Sequence, residues 1–227
     1  MSTFSAPAPL PAEQRLVLDG VDWQEYRLVL RGLNGRHVRI TYDRGAMEIM
    51  TLSFPHESSA YLAGRFIDIL CDELKLRVRA VRSTTLKRKK MKRGLESDNA
   101  YYIRNEPLIR RKPRIDLRID PAPDLAVEVD ITHSSLNRMR IYAALGVPEV
   151  WRYDGETLQV YLLGENRRYA QSQTSLSFPS IPVQEIASFL QRRAEEDDMT
   201  LAQEFRNWVR QLLAAQNNPT PPVEPTT

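Results

Sequence analysis

Apolar residues recur along this chain with two periods, and the switches between them mark out its elements. After Asp22, the residues Trp23, Tyr26, Leu30 and Leu33 return at helical spacing, which predicts a first helix capped by Asp22 and ending between Gly32 and Gly35. "HVRITYD" and "AMEIM" then alternate in twos around "DRG", the mark of a β-hairpin. In "PHESSAYLAGRFIDILCDEL" the residues Leu62, Phe66, Ile69, Leu70 and Leu74 share one face of a long amphipathic helix that starts near Pro55. "LRVRAVR" sets Leu76, Val78 and Ala80 against Arg77, Arg79 and Arg82, the pattern of a half-buried strand with a row of guanidinium groups outside.

Beyond it the basic run continues as a loop, "NAYYI" reads as a short strand, and residues 104–123 read as a loop or an extra hairpin. "PDLAVEVD" is a strand, and "SSLNRMRIYAALG" is a helix with Ser134 or Ser135 as N-cap and Gly146 as its stop. "PEVWRYD", "LQVYLL" and "RYAQSQ" predict three antiparallel strands, and residues 183–213 one or two closing helices. The order α, ββ, α, β, β, β, α, βββ, α defines an α/β fold with a mixed central β-sheet flanked by helices, with added hairpins and C-terminal helices. Residues 1–14 and 214–227, rich in Pro and small polar residues, are expected to be disordered, leaving a domain over 15–182 and a helical segment over 183–213.

Composition narrows the class. At 227 residues, 42% hydrophobic and 27% charged, the chain suits one sizeable core. No apolar run reaches the length of a membrane span, and the N-terminus has no signal-peptide pattern, so a cytoplasmic protein without a membrane partner is expected. Cys71 is the single cysteine, inside apolar "FIDILC", which excludes an intramolecular disulfide and a Cys-rich zinc site. Net charge is only +3, yet from Lys75 to Arg93 there are ten Lys or Arg and no acid. Such a field can draw a polyanion by counterion release, although a solvated basic loop has the same pattern. The residues concerned are Arg77, Arg79, Arg82, Lys87, Arg88, Lys89, Lys90, Lys92 and Arg93.

The candidate chemistry lies in "PAPDLAVEVD". Alternation puts Asp124, Ala126, Glu128 and Asp130 on one face and Leu125, Val127 and Val129 on the other. Crowded carboxylates on one face repel unless a cation or an Arg lies among them, and hard oxygen donors favour magnesium or manganese over zinc. Asp98, just before "NAYYI", lies 30 residues ahead of Glu128, and neighbouring strands would bring the two together. That spacing fits the loose pattern of magnesium-dependent nucleases, in which two carboxylates hold a metal that activates water.

"PAPDLAVEVDITHSSLNRMRIYAALGVPEVWRYD" resembles the hallmark block of the Uma-type restriction endonuclease family, a branch of the PD-(D/E)XK nuclease-like fold. "EIM", "PHESSAYLAGRFIDILCDEL" and "GLESDNAYYI" are similar to the family in the same order, so the likeness covers about residues 20–165. It implies a nuclease-like domain with Asp98 and Glu128 as the two motif acids and metal ligands, and with Glu48 and His56 near the site. Two departures stand out. Ser97 replaces the usual Pro before the first acid, and position 130 is Asp where the signature has Lys. Family members that take Lys from the following helix place it four residues before a Tyr, where this chain has Arg138 ahead of Tyr142. Every lysine lies between Lys75 and Lys112. Arg138 is suited to a phosphate and poorly suited to act as a base.

The expectation is therefore a Mg2+- or Mn2+-dependent DNA endonuclease: Asp98 and Glu128 on the metal, Asp130 assisting or positioning water, and Arg138 on phosphate. The basic residues would hold the DNA backbone without reading bases. Nucleases that cut both strands are often symmetric dimers, which makes a homodimer a candidate assembly. Two other readings use the same residues: a nucleic-acid-binding or assembly module that has lost cleavage, and an interaction protein built on the C-terminal helices.

Overall fold

The structure is a computed structural model that describes residues 13–82, 84–131 and 136–217. In chain order it runs β1 (Arg15–Leu18), α1 (Trp23–Gly32), β2 (Val38–Asp43), β3 (Ala46–Thr51), α2 (Phe54–Glu73), β4 (Arg79–Ala80), β5 (Thr85–Arg88), β6 (Arg93–Glu96), β7 (Asn99–Tyr102) and α3 (Glu106–Ile109). Then follow β8 (Leu125–Val129), α4 (Arg138–Leu145), β9 (Glu149–Tyr153), β10 (Leu158–Leu163), β11 (Tyr169–Ser172), α5 (Ile186–Gln191) and α6 (Asp198–Asn217). The expected mixed central sheet forms in the order β11-β10-β9-β8-β7-β4, and the added hairpins join in a second, antiparallel sheet in the order β1-β3-β2-β6-β5. In the mixed sheet the parallel pair is β8–β9, bridged by α4, and the other pairings are antiparallel.

The alternation of β8 decides where its neighbours pack. Leu125, Val127 and Val129 meet Leu62 and Phe66 of α2, with Phe205 of α6 stacked 4.2 Å from Phe66. Ala126, on the opposite face, packs with Ile141, Tyr142 and Leu145 of α4 and with Leu86 and Leu95 of β5 and β6. Both faces of β8 are thus buried, as a central strand requires. The antiparallel sheet carries its own small core of Trp23, Tyr26, Ile40, Tyr42 and Met47. Its helix α1 opens on the expected Asp22, whose carboxylate accepts from Gln24 and Glu25 N–H while the Glu25 side chain accepts from Asp22 N–H.

Several local expectations change. "LRVRAVR" is not a half-buried strand: only Arg79–Ala80 pair, at the sheet edge, and Leu76 and Ala80 are exposed. The basic run is a hairpin, β5 and β6, not a loop. The stretch 104–123 contains α3, and "RLVL" forms β1, a short edge strand that alternation alone did not signal. The N-cap of α4 is Asn137, whose side chain accepts from Arg140 N–H, while Ser134, Ser135 and His133 lie outside the described residues. α6 continues past 213 to 217, and the rest of the expected disordered ends also lies outside the described residues, apart from residues 13 and 14.

Gly94 of β6 shows how closely α1 sits on its sheet. A Cβ there would collide with the Tyr26 hydroxyl and come within 2.9 Å of Lys87 Cβ. Tyr26 is fully buried, stacks on Tyr42 at 4.6 Å, and its hydroxyl has no hydrogen-bond partner among the described residues. Gly94→Ala is expected to destabilise by roughly 1–3 kcal/mol, the usual range for overpacking. Adding Tyr26→Phe should recover part of that loss in urea unfolding, because it removes the colliding, unsatisfied oxygen.

Candidate active site

The two sheets are joined where β6 leaves the first and β7 enters the second, and Asp98 sits at that crossing. Pairing of β7 with β8 sets Asn99 against Val127, so one step on Asp98 faces Glu128. Both carboxylates are buried. Asp98 Oδ2 accepts from Val129 N–H at 2.9 Å, and Oδ1 accepts from Arg39 Nε at 3.3 Å. His56, in the first turn of α2, brings Nε2 to 3.4 Å from Asp98 Oδ2 and Nδ1 to 3.8 Å from Glu57 Oε1, without the alignment of a hydrogen bond. Burial alone would lower the His56 pKa, but the Asp98 and Glu57 carboxylates override it and lift it to about 10. Burial likewise works against the Asp98 charge, yet His56, Arg138 and Arg39 together hold its pKa at about 2. The contact is therefore an imidazolium beside a carboxylate at neutral pH.

Glu128 is clamped from α4. Arg138 Nε donates to Oε2 at 2.6 Å and Nη2 to Oε1 at 2.9 Å, and the Tyr142 hydroxyl also donates to Oε1. Arg138 and Tyr142 are one helical turn apart, so one face of α4 grips the acid. The same guanidinium reaches Thr41 Oγ1 of β2 at 2.6 Å and the Glu96 carbonyl of β6 at 2.7 Å. Arg138 thereby joins four elements. Burial pushes the Glu128 carboxyl above its ordinary range, with the Arg138 charge pulling the other way and Asp98 adding to the rise.

The remaining expected residues separate. Asp130, at the end of β8, is only partly buried and receives Arg152 of β9 at 3.1 and 2.6 Å. Glu48 of β3 meets Arg15 Nη1 at 3.3 Å. Asp124 turns away and accepts from Ile103 N–H, Asn105 N–H and the Asn105 amide, holding the loop after β7. Lys112, a candidate stand-in for the missing lysine, is paired with Asp120 instead. Among the basic residues, Arg93 bonds Asp43 at 2.7 Å and Arg88 the Leu117 carbonyl at 2.7 Å, while Lys87, Lys89, Lys90 and Lys92 are exposed on the β5–β6 hairpin. Arg77, Arg79 and Arg82 are exposed around β4.

Sequence reasoning missed Arg39, Thr41 and Arg152. For the first two the signal was present: in "VRITYD" Ile40 and Tyr42 enter the small core, so Arg39 and Thr41 must face the other way. Arg152 opposes Glu128 in the parallel register of β8 and β9, which no local pattern announces. Beside Asp130 and Arg152 opens a cleft of about 450 Å3, lined also by Glu128, Asn137, Arg138, Met139 and Tyr161.

A mixed sheet with helices packed on it, joined to a smaller antiparallel sheet, defines an α/β protein. The sequence profile of the Uma2 family, described as "Putative restriction endonuclease", matches residues 23–191, and the chain belongs to that family. Among solved structures it is similar to a "putative nuclease belonging to DUF820" from Anabaena variabilis, at 17% identity over 66% of this chain and 90% of that one, with a TM-score of 0.46. No curated protein matches.

Proposed function

We propose that the protein is a DNA endonuclease that hydrolyses phosphodiester bonds at the Asp98–Glu128 pair with Mg2+ or Mn2+. The observation that carries this reading is the register that sets these two buried carboxylates against each other beside a void of about 10 Å3, bounded also by Asp130, His56 and Arg138. Such a void holds about one water or ion. The donor set fits a hard cation: an ionised carboxylate has about four acceptor positions, and the bonds named above leave one on Glu128 Oε2 and one on each oxygen of Asp98. Among the described residues no group of three His, Cys, Asp or Glu is arranged around a metal, so water would complete the shell, as magnesium commonly requires. When bound, the ion would lower the pKa of a coordinated water and offset charge on the phosphate.

The chain's own residues do the rest. Arg138 and Tyr142 fix Glu128, and Asp130 at the cleft mouth positions the attacking water. His56, held as imidazolium, acts as a cation and not as a base. A second reading, a nucleic-acid-binding or assembly module without cleavage, is favoured by one observation: Arg138 commits four of its five N–H donors to protein acceptors, leaving little for a scissile phosphate. Plasmid nicking with Mg2+ or Mn2+ separates the two. The wild type should convert supercoiled plasmid, and an Asp98→Asn, Glu128→Gln variant should lose this by roughly a hundredfold or more. Nicking by both proteins alike, or by neither, would remove the enzyme reading.

A further inference from the structure

Asp98 also borders a second opening, which shares no lining residue with the main cleft. It begins as a hollow of about 200 Å3 lined by Arg39, Glu57, Tyr61, Arg82, Asp98 and Asn99. Arg82 is also part of the wall of a larger groove of about 650 Å3 that runs along β4, the edge strand of the mixed sheet. Arg79 and Arg82 form one side of it, and Lys112 and Arg114 come from the segment after α3. Val81, Ile109 and Ile115 supply apolar surface, and among the described residues no acidic side chain lines it.

The charges there are available to a ligand. Among the described residues neither Arg79 nor Arg114 enters a salt bridge, and both are exposed. Arg82 meets Asp68 at 3.4 Å with both side chains about half exposed, a pairing that water weakens. Only Lys112 is firmly held, by Asp120. The hairpin basic run keeps exposed lysines too, and differs in its engaged arginines and in its place. Arg93 and Arg88 are engaged with protein acceptors, and Lys89–Met91 form the turn that links β5 to β6. From that turn the chain runs through β6 and two residues more to reach Asp98, roughly 20 Å of extended backbone.

We infer that the β4 groove carries the phosphodiester backbone of the nucleic acid flanking the Asp98–Glu128 centre, and that the hairpin turn does not. This rests on the proposed function, because only a polyanion entering that centre needs a cationic exit beside it. The shared linings give the path continuity: Asp98 belongs to the site and the hollow, Arg82 to the hollow and the groove. Contacts of this kind hold backbone without reading sequence.

Fluorescence anisotropy in a chelator, where nothing is cut, tests it. The probes are a labelled duplex of about 20 base pairs, its single strand and an RNA of the same sequence, and the tightest arm names the nucleic acid. The groove variant Arg79→Gln, Arg82→Gln, Arg114→Gln changes only exposed side chains, as does the hairpin control Lys89→Gln, Lys90→Gln, Lys92→Gln. The groove variant should weaken binding roughly tenfold or more and flatten the slope of log affinity against log salt by about 2–3, at ~0.9 per lost duplex contact or ~0.7 per single-strand contact. The control should stay within about twofold of wild type. Equal losses in both variants, or a loss in the control alone, would overturn the groove while leaving the nuclease reading intact. Absence of wild-type binding to all three probes would overturn both.

Discussion

Replacing Arg138 with alanine is expected to destabilise the protein by about 3–5 kcal/mol, the usual cost of removing one partner from a buried ion pair. The guanidinium is the common acceptor-binding group of Glu128, Thr41 and the Glu96 carbonyl. Its loss strands a buried carboxylate and two further acceptors at the contact between the sheets and α4. Glu128 can relieve part of the cost by taking a proton, which its burial already favours, so the deficit should shrink as pH falls. Urea unfolding at neutral pH reads the effect as a midpoint lowered by about 1 M or more. Arg138→Met with Glu128→Leu should recover most of the loss, because an apolar pair removes the stranded charge as well as its partner. Arg138→Lys separates stability from chemistry. It keeps the charge but not the bidentate geometry, so stability should fall, while on the nuclease reading the lysine expected by the signature returns and nicking should rise. A deficit below about 1 kcal/mol for the alanine variant would mean that the pair is not the dry, charged contact described above.

The same arginine marks how far the sequence could be read. Helices α1, α2 and α4 and the β2–β3 hairpin were legible because each buries apolar residues at the period of its own element. The two acids were legible because carboxylates in an apolar strand need a reason. What the chain did not announce is the division into two sheets: β6 and β7 are separated by two residues, Ser97 and Asp98, and no local pattern says that the chain changes sheet between them. "LRVRAVR" misled for a related reason. Alternation reports burial only when something packs on the strand, and here β4 is a two-residue edge with an open groove beside it. Arg138 was recognised by its spacing from Tyr142, and the resemblance suggested a phosphate contact. The structure turns it inward because Thr41 and the Glu96 carbonyl, both remote in sequence, converge on it with Glu128.

In chelator, stability is expected to fall on both sides of neutrality, and both limbs trace to the contact between His56 and Asp98. The folded Asp98 pKa of about 2 lies below its ordinary 3.8, so its contribution is present above about pH 4 and is lost as pH falls towards 2. The difference is worth on the order of 2 kcal/mol. For His56 the sign reverses. Its folded pKa of about 10 lies above its ordinary 6.5, so its contribution is complete below about pH 6.5 and is lost as pH rises towards 10. The two limbs describe one attraction and do not add. Cys71, pushed up to about 12 by burial and by the Asp68 charge, does not titrate in this range. The buried Tyr26 and Tyr142 hydroxyls are raised beyond their ordinary 10 and stay silent below about pH 9.5. Urea midpoints measured every half unit from pH 5 to 9.5 should therefore decline steadily above 7 in the wild type, by about 2 kcal/mol or more. Asp98→Asn removes the larger of the two carboxylate attractions and should flatten that decline while leaving the Glu57 share. A wild-type curve level from pH 7 to 9.5 would show that His56 is neutral in the folded protein, and His56 would then return to candidacy as the base that the missing lysine leaves unassigned.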